Sequence, residues 1–194
     1  MNVDRSRRSL LLAAAAWSCA AAGTAQAHDP FGFVSPAPVT PVIELTSIEG
    51  RPTRLDSLLR GKVTALQLMF TGCSATCPIS GALFADLQGR LAKAPPSYQL
   101  LSISIDPLGD DAKSMQEWLK RFGARTDRWS AALSTTRDLD RLLDFVDGRR
   151  AGVDRHTSQV ILFDAQARLS YRTAPLPTAG ALEALMTQLA SRTG

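Results

Sequence analysis

The chain has 194 residues, of which 45% are hydrophobic and 21% are charged. This length predicts a single domain with a sizeable core. The formal net charge is only +4, and part of it comes from Arg5, Arg7 and Arg8, so the charge balance argues against nucleic-acid binding.

The N-terminal residues have the three parts of a secretory signal peptide. Arginines precede an apolar, alanine-rich run at 10–22, and the small-residue cleavage motif Ala25-Gln26-Ala27 follows it. The run is shorter than the roughly 20 residues that a membrane-spanning helix needs. We therefore predict a signal peptide at 1–27, exported by the Sec or the twin-arginine route, and a periplasmic or other extracytoplasmic protein. An uncleaved signal that tethers the protein to the membrane is the alternative.

The rest of the chain alternates strand-like and helix-like patterns. A Pro- and Gly-rich segment at 28–40 predicts a flexible lead-in, and a domain follows at 41–194. Strands are predicted at 42–45, 63–70, 98–105, 129–133, 157–163 and 168–172. Helices are predicted from Pro78, after a cap at Asp110 or Asp111, after a cap at Ser134 or Thr135, and after a cap at Thr178. This order predicts an α/β fold in which helices flank a sheet that ends in an antiparallel hairpin.

Two cysteines lie four positions apart where the longest apolar strand ends and a helix is predicted to begin. Cys77 directly precedes Pro78, which suits the first helical position. If the turn is already helical, the four-residue spacing places the sulfurs of Cys73 and Cys77 on one helical face. The positive end of a helix favours thiolate, the form that binds metal and attacks disulfides. A structural disulfide here would enclose only Ser74 to Thr76 and would stabilise the fold by about 2 kcal/mol. Two soft sulfurs indicate instead a Cu(I) site or reversible disulfide chemistry.

Three motifs, taken in order, resemble the Sco/SenC family of copper proteins, which have a thioredoxin-like fold. They are Cys-x-x-x-Cys-Pro at 73–78, Ile-Ser-Ile-Asp-Pro at 103–107, and His-Thr-Ser at 156–158. The resemblance extends over about residues 40–191. It implies a thioredoxin-like mixed sheet flanked by helices, preceded by the N-terminal signal segment.

The resemblance also implies a metal site formed by Cys73, Cys77 and His156, which would bind one copper ion as Cu(I) or Cu(II). Thiolates select Cu(I), whereas an imidazole also suits Cu(II), so this set of ligands can hold both oxidation states. Zinc is less favoured, because structural zinc usually takes four nitrogen or sulfur ligands.

One local departure from the family concerns the residue that would orient the imidazole. The family pattern commonly has Asp directly before His, whereas here Arg155 separates Asp154 from His156. A carboxylate that accepts a hydrogen bond from a ligating imidazole fixes the orientation of the ring. Asp154 and Asp106 are therefore both candidates for this role.

Two functions remain open. The first is an exported metallochaperone that receives copper and delivers it to a respiratory oxidase or another cuproenzyme, or exchanges it with another copper carrier. The alternative is a thiol–disulfide oxidoreductase, an enzyme in which Cys73 attacks a partner disulfide and Cys77 resolves the mixed disulfide. His156 separates them, because a reductase needs only the two sulfurs. Neither function involves nucleic acid, and both are compatible with membrane association without requiring it.

Overall fold

The protein is described by a computed structural model that covers residues 31–150 and 157–192. The predicted signal peptide at 1–27 and the site candidates Asp154 and His156 lie outside these described residues. Among the residues described, none of the helices combines the length and hydropathy that crossing a bilayer requires.

The described elements alternate between strands and helices. The strands are β1 (Gly32–Phe33), β2 (Glu44–Ser47), β3 (Pro52–Arg54), β4 (Val63–Met69), β5 (Tyr98–Ser104), β6 (Trp129–Ser134), β7 (Ile161–Phe163) and β8 (Leu169–Arg172). The helices are α1 (Leu55–Leu59), α2 (Thr76–Arg90), α3 (Ala112–Arg121), α4 (Leu139–Val146) and α5 (Ala179–Arg192), and a 3-10 turn at Leu91–Lys93 follows α2.

The strands form one mixed sheet in the order β1-β8-β7-β4-β5-β6-β2-β3. β4, β5 and β6 are parallel neighbours, and the strands on either side of them run antiparallel. All residues of β4 and β5 are buried, as expected for parallel strands covered on both faces. Met69 and Ser104 pair at the carboxyl ends of β4 and β5, and we call this side of the sheet the cysteine edge. The predicted thioredoxin-like α/β sheet is confirmed.

The two faces of the sheet pack into two separate hydrophobic clusters. Alternate residues of β4 divide between them: Met69 joins the cluster under α2, α3 and α5, whereas Leu68 joins the cluster under α1 and α4. Side chains on successive strand residues point to opposite faces, which produces this division. Cys73 and Cys77 belong to the first cluster, so they extend a packed core to the cysteine edge.

Several predicted elements differ in their bounds. Residues 157–160 are not part of β7, because the Val160 N–H donates to the Thr173 hydroxyl (2.9 Å) instead of to the sheet ladder. The helix α4 starts after Asp138 and not after a cap at Ser134 or Thr135. The Thr135 hydroxyl accepts from the Asp138 N–H (3.1 Å), which places this contact one turn before the helix.

The described part of the lead-in is bound to the sheet. Gly32–Phe33 pairs with β8, and the Thr40 N–H donates to the carbonyl of Ala167 (2.9 Å). This corrects the predicted flexible lead-in over residues 31–40, because backbone pairing fixes a segment that its Pro and Gly content alone would leave free.

Candidate metal centre

The two cysteines lie on a short turn between β4 and α2. The Cys73 N–H donates to the carbonyl of Phe70 (3.2 Å), which closes a tight turn directly after the strand. The helix then begins at Thr76, so Pro78 is its third residue and not its first as predicted. Proline is tolerated there because the N–H groups of a first helical turn have no acceptor within the helix.

The sulfur of Cys73 lies over the first turn of α2. It accepts a hydrogen bond from the Cys77 N–H (3.5 Å) and lies 3.9 Å from the Thr76 hydroxyl. Cys73 itself is outside the helix, so the two cysteines do not share a helical face in the way that their four-residue spacing suggests. They meet because the Cys73 side chain takes the position of a capping group above the helix start.

Neither cysteine is part of a disulfide, and both are largely buried. Cys73 is 9% exposed and Cys77 is 1% exposed. Burial raises the pKa of the Cys73 thiol, but hydrogen bonds from Cys77, Ala75 and Thr76 outweigh it and hold the pKa below its ordinary value. Hydrogen bonds to a thiolate favour the charged form. Cys73 is therefore the more accessible of the two sulfurs and the one prepared to act as a thiolate.

A buried carboxylate ties this turn to the neighbouring strand. Asp110 accepts hydrogen bonds from the Thr71 N–H, through both carboxylate oxygens (3.2 and 3.1 Å), and from the Thr71 hydroxyl. It also accepts from the Ser104 hydroxyl (2.5 Å) at the end of β5. The sequence suggests Asp110 only as an alternative helix cap. The one sequence signal for its buried role is that two aspartates are adjacent after a strand, where a single helix cap needs only one of them.

Asp106, the other described candidate for orienting an imidazole, closes its own loop. Its carboxylate accepts from the Gly109 N–H (2.9 Å), and its carbonyl accepts from the Asp110 N–H (2.9 Å). These bonds shape the segment that carries Asp110 toward the sheet. The orienting roles of Asp106 and Asp154 toward His156 stay predictions, since two of these three residues are not described.

The loop that contains His156 is closed by described residues at both ends. The Thr157 N–H donates to the carbonyl of Gly148 (2.8 Å), so the chain leaves and returns at one place. Ile161 pairs antiparallel with Leu66 of β4, and the segment before Ile161 therefore comes from the cysteine edge. Within residues 31–150 and 157–192, no group of three or more His, Cys, Asp or Glu side chains is placed to hold a metal.

The fold and the thiol pair at its cysteine edge define a thioredoxin-like dithiol protein. The SCO1/SenC family model matches residues 35–190, and the chain therefore belongs to the SCO1/SenC family.

Individual relatives agree with this assignment. The chain is 28% identical over 110 residues to a SCO1 protein homolog from Bacillus subtilis, a match that covers 56% of the chain and 53% of that relative, about half its length.

Solved structures share the fold. A SCO1/SenC family lipoprotein from Bacillus anthracis has a TM-score of 0.65 and 23% identity, covering 78% of this chain and 95% of that one. Copper-bound ScoI from Bradyrhizobium japonicum has a TM-score of 0.64 and 18% identity, and the match covers 78% of this chain and 99% of that one. At these identities, the likeness establishes the fold.

Proposed function

We propose that the protein is an exported copper-binding metallochaperone that delivers copper to a respiratory oxidase or another cuproenzyme. Cys73, Cys77 and His156 are the proposed ligands. The observation that carries the proposal is the pair of cysteines at the cysteine edge, which are not joined in a disulfide and where the Cys73 sulfur accepts a hydrogen bond from the Cys77 N–H at 3.5 Å. Membership of the SCO1/SenC family supports it, as does the copper-bound structure of a family relative.

The chemistry of the described donors fits copper. Two reduced thiols in one turn supply soft ligands, and the lowered pKa of Cys73 reduces the cost of losing its proton to a metal. The surrounding cluster is apolar, so water has little access to Cys77, which is 1% exposed. Copper, as cargo, would be held by the thiolates and released by ligand exchange with the recipient.

The strand register supports His156 as the third ligand. Counting back from Ile161, which lies opposite Leu66, brings position 157 to the level of Phe70 at the start of the cysteine turn. Val160 packs in the same cluster as the cysteines, whereas Ile161 packs in the other. The loop that contains position 156 therefore returns to the sheet at the cysteine edge, which is the observation that supports His156 as a ligand.

Thiol–disulfide exchange is the second candidate, and the lowered pKa of the Cys73 thiol favours it. In this reaction the Cys73 thiolate attacks one sulfur of a partner disulfide and displaces the other as thiolate. Cys77 then attacks the mixed disulfide, so the partner is reduced to two thiols while Cys73 and Cys77 are oxidised to a disulfide. An oxidised form of the pair would not bind copper, and the two functions would therefore exclude each other at any one moment.

Export through the signal at 1–27 is part of the proposal. A pair of free thiols that must stay reduced outside the cytoplasm needs a reductant there. A family relative is described as a lipoprotein, which supports tethering to a membrane as the alternative to a released protein.

Copper titration of the reduced exported protein tests the proposal. We expect Cys73→Ser and Cys77→Ser to lose Cu(I) affinity by more than about 100-fold, because each removes a soft ligand. His156→Ala should lose Cu(II) affinity by about 100-fold and Cu(I) affinity by less than about tenfold. His28→Ala is measured beside it, because His28 would be the first residue of the exported protein, where its imidazole and the N-terminal amine can chelate Cu(II) independently of the cysteines.

The outcomes separate the two candidates. A His156→Ala variant that binds Cu(II) as well as the wild type would contradict the three-ligand site. A wild-type protein that reduces a disulfide substrate but binds neither copper ion would replace the chaperone function with the oxidoreductase function.

A further inference from the structure

We propose that Asp110 is a positioning residue that sets the geometry of the Cys73–Cys77 pair through Thr71. The inference deepens the proposed function and rests on it only for the copper measurement described below. Asp110 acts on the chain that leads to the sulfurs, through its hydrogen bonds with Thr71.

The carboxylate of Asp110 joins three segments at the cysteine edge. It accepts from both donors of Thr71, the backbone N–H and the hydroxyl, and from the hydroxyl of Ser104. Thr71 is two residues after the end of β4 and two residues before Cys73. Ser104 is the last residue of β5. One side chain therefore fixes where the chain leaves β4, relative to its parallel neighbour.

The surroundings of Asp110 are unusual for a buried acid. It is 8% exposed, yet within residues 31–150 and 157–192 no lysine, arginine or histidine forms an ion pair with it. All its donors are neutral. A buried carboxylate costs free energy unless its oxygens accept hydrogen bonds. The Asp110 carboxylate therefore stabilises the arrangement in which Thr71 and Ser104 donate to it.

The path from Thr71 to the sulfurs is short and constrained. The Cys73 N–H donates to Phe70, so Thr71 is one of the two residues enclosed by the turn. The Cys73 sulfur is then aimed at the Cys77 N–H, 3.5 Å away. If Thr71 rotates, the turn opens and this contact between the two cysteine residues is lost. Asp110 therefore favours the arrangement in which both cysteines are side by side as thiols.

Two measurements on the exported protein test the inference. The first is the equilibrium constant between the Cys73–Cys77 dithiol and its disulfide in a glutathione buffer, which requires no copper. The second is the Cu(II) affinity of the reduced protein. The variants are Asp110→Ala, Asp110→Asn and Thr71→Val.

The matched control is Asp164→Ala, which removes a buried carboxylate at the opposite edge of the sheet. Thermal unfolding of each variant separates loss of stability from a change at the cysteines.

We expect Asp110→Ala to shift the glutathione equilibrium toward the disulfide by about tenfold, which corresponds to roughly 30 mV. Thr71→Val should shift it in the same direction by less, because the backbone N–H still donates. Asp110→Asn should also shift it by less than Asp110→Ala, since the amide oxygen can still accept from Thr71. Cu(II) affinity should fall by about tenfold in Asp110→Ala. Asp164→Ala should lower the unfolding temperature without moving the equilibrium.

An Asp110→Ala equilibrium constant within about twofold of the wild type would overturn the inference, as would an equal shift in Asp164→Ala. If Asp110→Ala does not fold, Thr71→Val decides the question in the same way. A wild-type protein without copper affinity, combined with the expected glutathione shift, would refute the proposed function and leave the positioning role standing.

Discussion

Two buried carboxylates, at opposite edges of the sheet, bind their surroundings in different ways. Asp164, between β7 and β8, is 3% exposed and accepts from the N–H groups of Gln166 and Arg168 (3.0 Å each) and from the Arg168 guanidinium (2.8 Å). Among the described residues, the donors to the Asp110 carboxylate at the cysteine edge are the neutral groups of Thr71 and Ser104.

The two carboxylates also differ in how far along the chain they reach. Asp164 bonds to residues at most four positions away, whereas Asp110 and Thr71 are 39 positions apart. The first carboxylate stabilises a local hairpin turn that its own sequence specifies. The second joins segments that only the finished sheet brings together. The hairpin edge is therefore stabilised by local contacts, while the cysteine edge depends on a long-range contact next to its reactive groups.

Removing the local carboxylate should have the largest effect on stability. Asp164→Ala leaves two backbone N–H groups and one guanidinium N–H without their acceptor, and we expect a loss of about 2 to 3 kcal/mol in the free energy of unfolding. Denaturant unfolding of the purified protein measures it. Thiol alkylation of Cys73 should proceed at the wild-type rate. An altered alkylation rate would show that the two edges are coupled, and the comparison would fail.

The same contrast explains which features the sequence could predict. The β7–β8 hairpin was correctly predicted because alternating residues flank a turn whose side chains act within a few positions. The cap at Asp111 was also predictable, since a capping side chain bonds three residues ahead. The buried contact between its neighbour Asp110 and Thr71 is not predictable in this way, because nothing in the local pattern identifies Thr71 as the partner.

The buried face of α2 was predicted only in part. The spacing of Ile79, Leu83 and Leu87 is typical of a helix with one apolar face, yet Ile79 is 54% exposed whereas Leu87 is buried. The buried face of the helix instead includes Cys77 and Gly81, which lie one turn apart. Gly81 lies so close to the ring of Phe122 that a Cβ atom at this position would be 2.6 Å from it. Hydrophobicity does not mark a glycine as a packing position, and so the pattern misled.

At the candidate metal site, the two cysteines lie close together, but not for the geometric reason that their spacing suggests. A shared helical face was expected, whereas the Cys73 sulfur lies above the helix start. The meeting of His156 with the cysteines stays a prediction, because it depends on a loop of which only the closing contact between Gly148 and Thr157 is described.

The two cysteines should differ in reactivity. Cys73 is the more exposed, and hydrogen bonds hold its pKa below the ordinary value against the effect of burial. We expect iodoacetamide to modify Cys73 about tenfold faster than Cys77 in the reduced protein. The rate should rise with pH as thiolate forms, with a midpoint below that of an ordinary cysteine.

The sign of the linked stability follows from the same shift. Because the folded state favours the thiolate of Cys73, the stabilisation is present above the unfolded pKa and is lost as the pH falls through the folded pKa. Mass spectrometry of the partly alkylated protein identifies the modified residue, with Cys77→Ser as the control that keeps the Cys77 N–H. Faster modification of Cys77 would contradict the assignment.

The smallest effect on stability is expected from substitution of Asp111, which is next to Asp110 but exposed instead of buried. Asp111 is exposed and caps α3 by accepting from the Ser114 N–H (2.7 Å), while the Ser114 hydroxyl accepts from the Asp111 N–H (2.9 Å). Hydrogen bonds from the backbone and side chain of Ser114 lower the pKa of the Asp111 carboxyl. Its stabilisation is therefore present above the unfolded pKa and is lost as the pH falls through the folded pKa.

We expect Asp111→Ala to lower the unfolding temperature at neutral pH by less than Asp164→Ala does, and Asp111→Asn to stay near the wild type, because an amide oxygen also caps a helix. The difference between wild type and Asp111→Ala should shrink as the pH is lowered, which thermal unfolding at several pH values measures. Since the hydrogen bonds of Asp111 within the described residues go to Ser114 and its neighbours in α3 and not to the cysteine turn, the glutathione equilibrium should not move in either variant. A shift there as large as that of Asp110→Ala would mean that any change in this loop disturbs the cysteines, and the specific role of the inward carboxylate would be lost.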